Sequence, residues 1–309
     1  MLLDHRARGV FPIAPTPFLD DGTIDTASID RLTDFYLECG STGLTVLGLL
    51  GEAPKLEHKE AVAVAAQMIR RASSIPVVVG VTAPGFAAMR ALTREVMDLG
   101  AAGVMIAPPN TLRTDEQIFG YYRQAAQAIG TDVPIVVQDY PQVFQVQMSP
   151  TLLRRMFQEI DSLAMLKHED WPGLDKISTL RGYERDGSMR RIPILCGNNG
   201  VFLDYEIARG ADGANTGYCF PDMLCEFLAL RERGEAEAAQ DLFDAHLPLI
   251  RYEQQPGVGL AVRKHVMMRR GLIASAAQRM PAGTLNASSR NEVEHLLQRL
   301  ARKDPRARI

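Results

Sequence analysis

A lysine and a glutamate two positions apart are the residues best suited to chemistry in this chain. Lys167 ends the apolar run 163–166, and Glu169 shares its face if the run is a strand. An uncharged lysine amine attacks carbonyl groups, and burial favours that form because it destabilises the ammonium ion. The pair therefore predicts a covalent imine at Lys167 with proton transfer by Glu169. An ordinary ion pair at a strand end is the alternative interpretation.

Further polar residues follow other apolar runs, where strands would end. Tyr140 lies two residues beyond Gln138, so both side chains point the same way on a strand. The phenol is a second candidate for proton transfer, with a packed aromatic at the rim as the alternative. Some of the candidates are asparagines, and asparagine is also common in turns. For these residues a purely structural role in a turn is the alternative interpretation. The candidates for substrate binding among these residues are Gln138, Gly197, Asn198, Asn199, Asn215 and Thr216.

Asp139 and His168 alternate with these candidates along their strands. Each is one position away from a residue that is expected to face the site, so its side chain points to the other side of the strand. We therefore predict a structural capping role for Asp139 and a packing role for His168.

The elements that must position these residues repeat along the chain. Eight short apolar runs recur at a near-constant interval, and amphipathic stretches such as Asp115–Ile129 separate them. Uninterrupted apolar runs are typical of parallel strands that are buried on both faces. The runs are 10–14, 44–48, 76–81, 103–107, 134–138, 163–167, 192–197 and 213–216.

This count predicts an α/β fold, a (β/α)8 TIM barrel, whose active site lies at the carboxyl ends of the strands. An open doubly wound sheet would usually carry a glycine-rich phosphate loop after the first strand, and Ala14-Pro-Thr-Pro17 is not one. After residue 217 the pattern is helical only. We expect 1–217 to form the barrel core and 218–309 the closing helix and a C-terminal helical extension, within the same structural unit.

Composition excludes several classes of protein. The net charge of −3 is spread along the chain, which argues against a nucleic-acid partner. No segment approaches 18 uninterrupted apolar residues, about the least that a membrane span requires. The four cysteines lack metal-binding spacing and are expected to be reduced thiols in a cytoplasmic protein.

Motifs throughout the barrel resemble one enzyme family. They include Phe11-Pro-Ile-Ala-Pro-Thr-Pro-Phe18, Gly48-Leu-Leu-Gly-Glu52, Ala107-Pro-Pro109, Pro141 and the strand-six Lys167. In combination they are similar to the dihydrodipicolinate synthase / N-acetylneuraminate lyase family. The resemblance implies an imine between Lys167 and a 2-oxo acid such as pyruvate. It also implies that backbone N–H groups near Leu49 and Leu50 bind the carboxylate of that acid, with no metal or organic cofactor.

Four positions differ from the synthases of this family. Leu49 and Leu50 replace two threonines, Gln138 replaces a tyrosine, and Val143 replaces the arginine that holds the second substrate. With no arginine there, we expect the second half of the substrate to be less acidic or partly apolar. A synthase of lysine biosynthesis is therefore the weaker interpretation.

A narrower set of motifs resembles the branch with L-2-keto-3-deoxyarabonate dehydratases. These motifs are Val136-Val-Gln-Asp-Tyr-Pro141, Lys167-His-Glu169, Leu247-Pro-Leu-Ile-Arg-Tyr-Glu253 and Gly259-Leu-Ala-Val-Arg-Lys264. The resemblance implies a Schiff-base lyase, either a dehydratase or an aldolase of a 2-keto-3-deoxy sugar acid, assembled as a homo-oligomer, dimer or tetramer. The alternatives are a divergent 4-hydroxy-tetrahydrodipicolinate synthase and a barrel that binds 2-oxo acids without turnover.

Overall fold

The computed structural model describes residues 1–309, which contain eight parallel strands. Each strand pairs with the next from β2 to β8, and β8 pairs with β1. A parallel bridge between Ile13 and Thr45 joins the β1 and β2 segments and completes the ring. The predicted (β/α)8 barrel is therefore confirmed. The strands are β1 Gly9–Val10, β2 Leu44–Val46, β3 Val77–Gly80, β4 Gly103–Ile106, β5 Ile135–Asp139, β6 Leu163–His168, β7 Ile194–Cys196 and β8 Gly213–Ala214.

Helices follow the strands on the outside of the barrel. Ser149 caps the helix that follows it, because its hydroxyl accepts a hydrogen bond from the Leu152 N–H at 3.0 Å. The helices are α1 Thr26–Glu38, α2 His58–Arg71, α3 Phe86–Asp98, α4 Asp115–Ile129, α5 Pro141–Phe144, α6 Pro150–Glu159, α7 Leu174–Arg185, α8 Leu203–Ala208, α9 Pro221–Glu232, α10 Ala236–Glu253, α11 Gly259–Arg269 and α12 Ala287–Leu300. No helix is long and apolar enough to span a membrane.

The barrel interior is packed below the predicted site. Large apolar side chains from successive strands form a separate buried cluster that includes Val136, Met165 and Leu195. Because side chains alternate along a strand, the residues two positions further on, Gln138 and Lys167, point to the same side one layer higher. The apolar cluster thus forms the floor on which the polar layer rests.

The C-terminal helices share their apolar core with the barrel. One cluster of 70 buried residues includes Leu44 of β2 and Ile106 of β4 together with Leu249 of α10 and Val293 of α12. From this continuous packing we infer that residues 1–217 and 218–309 form one structural unit.

Candidate active site

A cavity of about 870 Å³ opens at the carboxyl ends of the strands. Its wall includes the side chains of Gln138, Tyr140, Lys167 and Glu169. Other parts of the wall come from the Leu49–Leu50 turn after β2 and from α10, α11 and the segment that follows α11. The barrel thus contributes one side of the cavity and the C-terminal helices contribute the other.

Lys167 and Glu169 meet at the base of this cavity. Lys167 is only 5% exposed. Its Nζ lies 3.0 Å from Glu169 Oε1. The side-chain amide of Gln138 donates to the same oxygen at 2.8 Å. A carboxylate held beside a lysine amine is an acceptor for the proton that the amine must lose before it attacks a carbonyl. The contact between Lys167 and Glu169 is therefore compatible with both interpretations, the ion pair and the catalytic pair.

Gly197 allows Glu169 to occupy this position. A Cβ atom on Gly197 would lie 2.4 Å from both Cγ and Oε2 of Glu169. The side chain of Asn198 then fixes the backbone nearby, because its Nδ2 donates to the Glu169 carbonyl at 2.6 Å. Gly197 is packed against Glu169 and is not among the residues that line the cavity.

The turn after β2 leaves two backbone donors free. Leu47 and Glu52 flank it, each with φ 56°, a left-handed conformation that non-glycine residues rarely adopt. Neither the Leu49 nor the Leu50 N–H donates a hydrogen bond within the protein. Adjacent free N–H groups bind anions well, so this turn is suited to a substrate carboxylate. Leu49 itself is 41% exposed.

Two buried charges hold this turn in place. Glu52 Oε1 accepts from Lys264 Nζ of α11 at 2.5 Å, and Glu52 Oε2 accepts from Lys55 Nζ at 2.9 Å. Lys264 also donates to the carbonyl of Thr16 at 2.8 Å. The turn and α11 are therefore linked through one buried carboxylate.

Tyr140 is half-buried at the wall beside Glu169. Burial, together with the nearby Glu169 carboxylate, raises the pKa of Tyr140 to about 12. The hydroxyl is therefore protonated at neutral pH and can donate. Its ring also packs edge-on against Phe144, with the ring centroids 6.4 Å apart.

The predicted asparagines occupy different positions. Asn198 and Asn199 line the cavity, whereas Asn215 does not. Asn215 is fully buried, and neither its Oδ1 nor its Nδ2 has a hydrogen-bond partner in the protein. Thr216, the other candidate that follows β8, is also buried and does not line the cavity.

Asp139 and His168 lie on the outer side of the strands, as predicted from alternation. The capping role predicted for Asp139 was wrong, because the Asp139 carboxylate does not cap a helix. Its Oδ2 accepts from Lys176 Nζ of α7 at 2.7 Å. A fully buried carboxylate needs such a partner, and a helix that packs on the outside of the barrel supplies the lysine. His168 is also fully buried, between the barrel and its helices.

Two charged residues of the cavity wall come from the C-terminal helices. Arg263 of α11 and Glu253 at the end of α10 line the cavity, and both are buried. Position 143 carries no arginine, but α11 brings Arg263 to the cavity from another part of the chain. The motifs that contain both residues were recognised, but the helical extension was not expected to reach the barrel mouth. Val143 does lie at the cavity, 45% exposed.

No cluster of three or more His, Cys, Asp or Glu side chains has the arrangement of a metal site. The four cysteines are unpaired; Cys196 and Cys219 are buried, and Cys39 and Cys225 are partly exposed.

Comparisons with known proteins agree with this architecture. The crystal structure of a dihydrodipicolinate synthase from Rhodopseudomonas palustris is 62% identical, with a TM-score of 0.96 over 97% of this chain and 99% of that one. L-2-keto-3-deoxyarabonate dehydratase from Azospirillum brasilense is 33% identical over 300 residues, 96% of this chain and 95% of the relative. A 4-hydroxy-tetrahydrodipicolinate synthase from Methanothrix thermoacetophila is 29% identical over 250 residues, 79% of this chain and 81% of the relative.

A family model supports the same assignment over almost the whole sequence. The model described as the dihydrodipicolinate synthetase family matches residues 6–300, which include the barrel, the cavity and the C-terminal helices. The chain is therefore a lyase that belongs to the dihydrodipicolinate synthetase family.

Proposed function

We propose that this lyase forms a Schiff base between Lys167 and a 2-oxo acid and dehydrates a 2-keto-3-deoxy sugar acid. One observation carries the proposal: the buried Lys167 Nζ lies 3.0 Å from Glu169 Oε1 at the base of the cavity. An amine with a proton acceptor in contact is the arrangement that imine formation needs. The imine then acts as an electron sink, so no metal or organic cofactor is required.

The free N–H groups of Leu49 and Leu50 bind the carboxylate of the 2-oxo acid and direct its carbonyl carbon towards Lys167. Loss of water from the adduct gives a protonated imine at C2. Glu169 removes a proton from C3, and the resulting enamine expels the hydroxyl at C4. Tyr140 donates a proton to that hydroxyl, which leaves as water.

The remaining steps return the residues to their starting states. The Tyr140 phenolate takes a proton from C5, and protonated Glu169 returns its proton to C3, which leaves an enol across C4 and C5. The enol becomes a carbonyl at C5 as its hydroxyl releases a proton and C4 gains one, so this step needs no net proton. Hydrolysis of the imine releases the product, which is the substrate less one water with the C5 carbon as a carbonyl. Every proton borrowed from the protein is thereby restored.

Borohydride reduction tests the covalent step. Incubation with pyruvate and borohydride, followed by mass spectrometry, is expected to give one adduct per chain, on Lys167. The Lys167→Ala variant is expected to give none. Lys59→Ala is the control, because Lys59 is exposed on α2 away from the cavity and should leave the adduct intact. An adduct on Lys55, or none on any residue, would overturn the proposal.

A second candidate is synthesis of 4-hydroxy-tetrahydrodipicolinate from pyruvate and aspartate semialdehyde. The observation that favours it is the 62% identity to a structure named as a dihydrodipicolinate synthase. Val143 argues against it, because this apolar side chain occupies the position where the resemblance implies an arginine. Incubation of the protein with pyruvate and aspartate semialdehyde separates the two. We expect no condensation product, and water loss from a 2-keto-3-deoxy acid instead.

Assembly as a dimer or tetramer and a cytoplasmic location belong to the same proposal. The assembly follows from the family resemblance, and the location follows from the four unpaired cysteines, which are consistent with a reducing compartment. Light scattering on the purified protein measures the assembly state. A monomer at micromolar concentration would contradict the first part.

A further inference from the structure

Arg263 has more donors than the protein uses. Its side chain is 3% exposed, yet only Nη2 has acceptors: Asn199 Oδ1 at 2.5 Å and Glu253 Oε2 at 3.3 Å. Neither Nε nor Nη1 has a partner. Leaving a buried charged donor unpaired costs free energy, so buried donors of this kind normally have acceptors. Because Arg263 lines the cavity, a bound ligand can provide one.

Glu253 presents the complementary group beside it. Its Oε2 accepts from Asn199 Nδ2 at 3.0 Å and from Arg263. Its Oε1 is buried without a partner. One wall of the cavity therefore holds unused donors and an unused acceptor on neighbouring side chains. We call Asn199, Glu253 and Arg263 the distal cluster.

The charge of the distal cluster decides which ligand fits. The guanidinium and the carboxylate contribute +1 and −1, and Asn199 is neutral. A carboxylate bound to Arg263 would lie beside the Glu253 carboxylate in a poorly solvated site, where like charges repel strongly. A hydroxyl group both accepts and donates, so it pairs with Arg263 and with Glu253 Oε1. The cluster is suited to hydroxyl groups.

The distal cluster lies within reach of a molecule held at Lys167. Tyr140 is close enough to both Glu169 and Arg263 for each charge to shift the pKa of its phenol. Arg263 Nη1 also lies 2.9 Å from the position of a Cβ on Gly217, just after β8. Lys167 and the three residues of the cluster line the same cavity, so a molecule bound at Lys167 can extend towards the cluster.

On these grounds we propose that Arg263 and Glu253 determine specificity by binding the hydroxyl groups at the end of the substrate distant from the imine. The preferred substrates are 2-oxo acids with a hydroxylated tail, and dicarboxylic 2-oxo acids are disfavoured. This inference rests on the proposed function and adds to it the residues that select the substrate.

The test compares three 2-oxo acids by the concentration that gives half-maximal borohydride-trapped adduct on Lys167. Pyruvate has no tail, 4-hydroxy-2-oxoglutarate has a carboxylate tail, and 2-keto-3-deoxyarabonate has a hydroxylated tail. In Arg263→Met we expect the half-saturating concentration to rise about 10- to 100-fold for the hydroxylated acid, the equivalent of one hydrogen bond to a charged group. The value for pyruvate should stay within about 2-fold.

The exposed Arg251 on α10 provides the matched control, and Arg251→Met should leave all three values unchanged. Glu253→Gln is the second variant, nearly identical in shape. It removes the negative charge, so we expect tighter binding of the dicarboxylic acid and weaker binding of the hydroxylated one.

The outcomes separate this inference from the proposed function. Equal changes for all three acids in Arg263→Met, or no change in preference in Glu253→Gln, would refute the role of the distal cluster while the Lys167 adduct remains. Absence of any adduct in the wild-type protein would refute both.

Discussion

Glu169 is the residue on which the most contacts in the cavity converge. Lys167 and Gln138 both reach its Oε1, and Gly197 leaves room for its side chain. The Gln138 amide fixes the direction of the carboxylate without supplying a proton of its own. These contacts support our proposal that Glu169 transfers the proton at C3 and that Gln138 aligns its carboxylate.

Glu169→Gln is expected to separate imine formation from the later steps. The amide keeps the shape but accepts protons poorly, so we predict a fall in kcat of roughly 10²- to 10⁴-fold. Pyruvate should still give the trapped adduct on Lys167. Steady-state kinetics and mass spectrometry of one preparation measure both, and unchanged kcat would assign the proton transfer to another group.

Gly197→Ala is expected to impair catalysis through Glu169. The new methyl group would overlap Glu169 Cγ and Oε2, so the carboxylate must move. A displacement of about 1 Å in a reacting group can lower kcat by about 100-fold. Gly182→Ala in α7 is the matched control, because the nearest atom to its Cβ lies 3.9 Å away, on a flexible arginine. Equal kcat in the two variants would contradict this role.

Sequence patterns reveal some of these residues and not others. Lys167, Glu169, Gln138 and Tyr140 follow from strand alternation, because side chains two apart on a strand point the same way. Arg263 could not be predicted in this way. It lies on a helix about 100 residues after Lys167, and only the packing of that helix against the barrel brings the two to one cavity.

At the scale of elements, the strand order and the helix bounds follow closely from apolar periodicity. The bounds of α4 match the predicted range, whereas β1 is shorter than predicted. The N–H groups of Phe11 and Ile13 still donate to the β8 segment, at 2.8 and 2.9 Å. Pro12 has no N–H to donate to the β2 segment on the other side, which weakens the pairing there. Between β6, β7 and α8, however, lies a buried polar group that periodicity does not reveal.

That group is Glu206 of α8, and burial raises its pKa to about 7. His168 of β6 faces it and opposes the shift, Cys196 of β7 hydrogen-bonds to it, and Asp204 and Glu169 add to the shift. The ordinary pKa is 4.5. The folded state therefore binds this proton more tightly than the unfolded state. The stabilisation is complete below pH 4.5 and is lost as the pH rises through about 7.

We therefore predict that the ionisation of Glu206 lowers the free energy of unfolding by about 3 kcal/mol between pH 4.5 and pH 8. Glu206→Gln removes the titration and should flatten the profile over that range. Urea denaturation of both proteins at pH 5 and pH 8 measures the difference. Parallel pH profiles for the two proteins would contradict the assignment.

At the scale of the whole molecule, the fold, the family and the enzyme class predicted from sequence are confirmed. The extent of contact between the barrel and the helices after residue 217 was harder to predict, because amphipathic helices reveal that they have an apolar face but not what it packs against. Here α10 and α12 contribute to the same buried cluster as the strands.

One cooperative transition is expected from that shared core. In differential scanning calorimetry the full chain should unfold in a single peak, and a fragment of residues 1–217 should lack a cooperative transition because it exposes the apolar surface that α10 to α12 cover. Two resolved peaks from the full chain, or a stably folded fragment, would indicate separate units.

The division of the cavity wall between barrel and C-terminal helices also bears on how such enzymes diversify. Residues assigned to bond breaking lie before residue 200, and those assigned to selecting the tail of the substrate lie mostly after residue 250. Transplanting α10 and α11 between homologues would therefore exchange substrate preference while the reaction itself stays the same. Recombination within this fold can generate new specificities without rebuilding the catalytic apparatus.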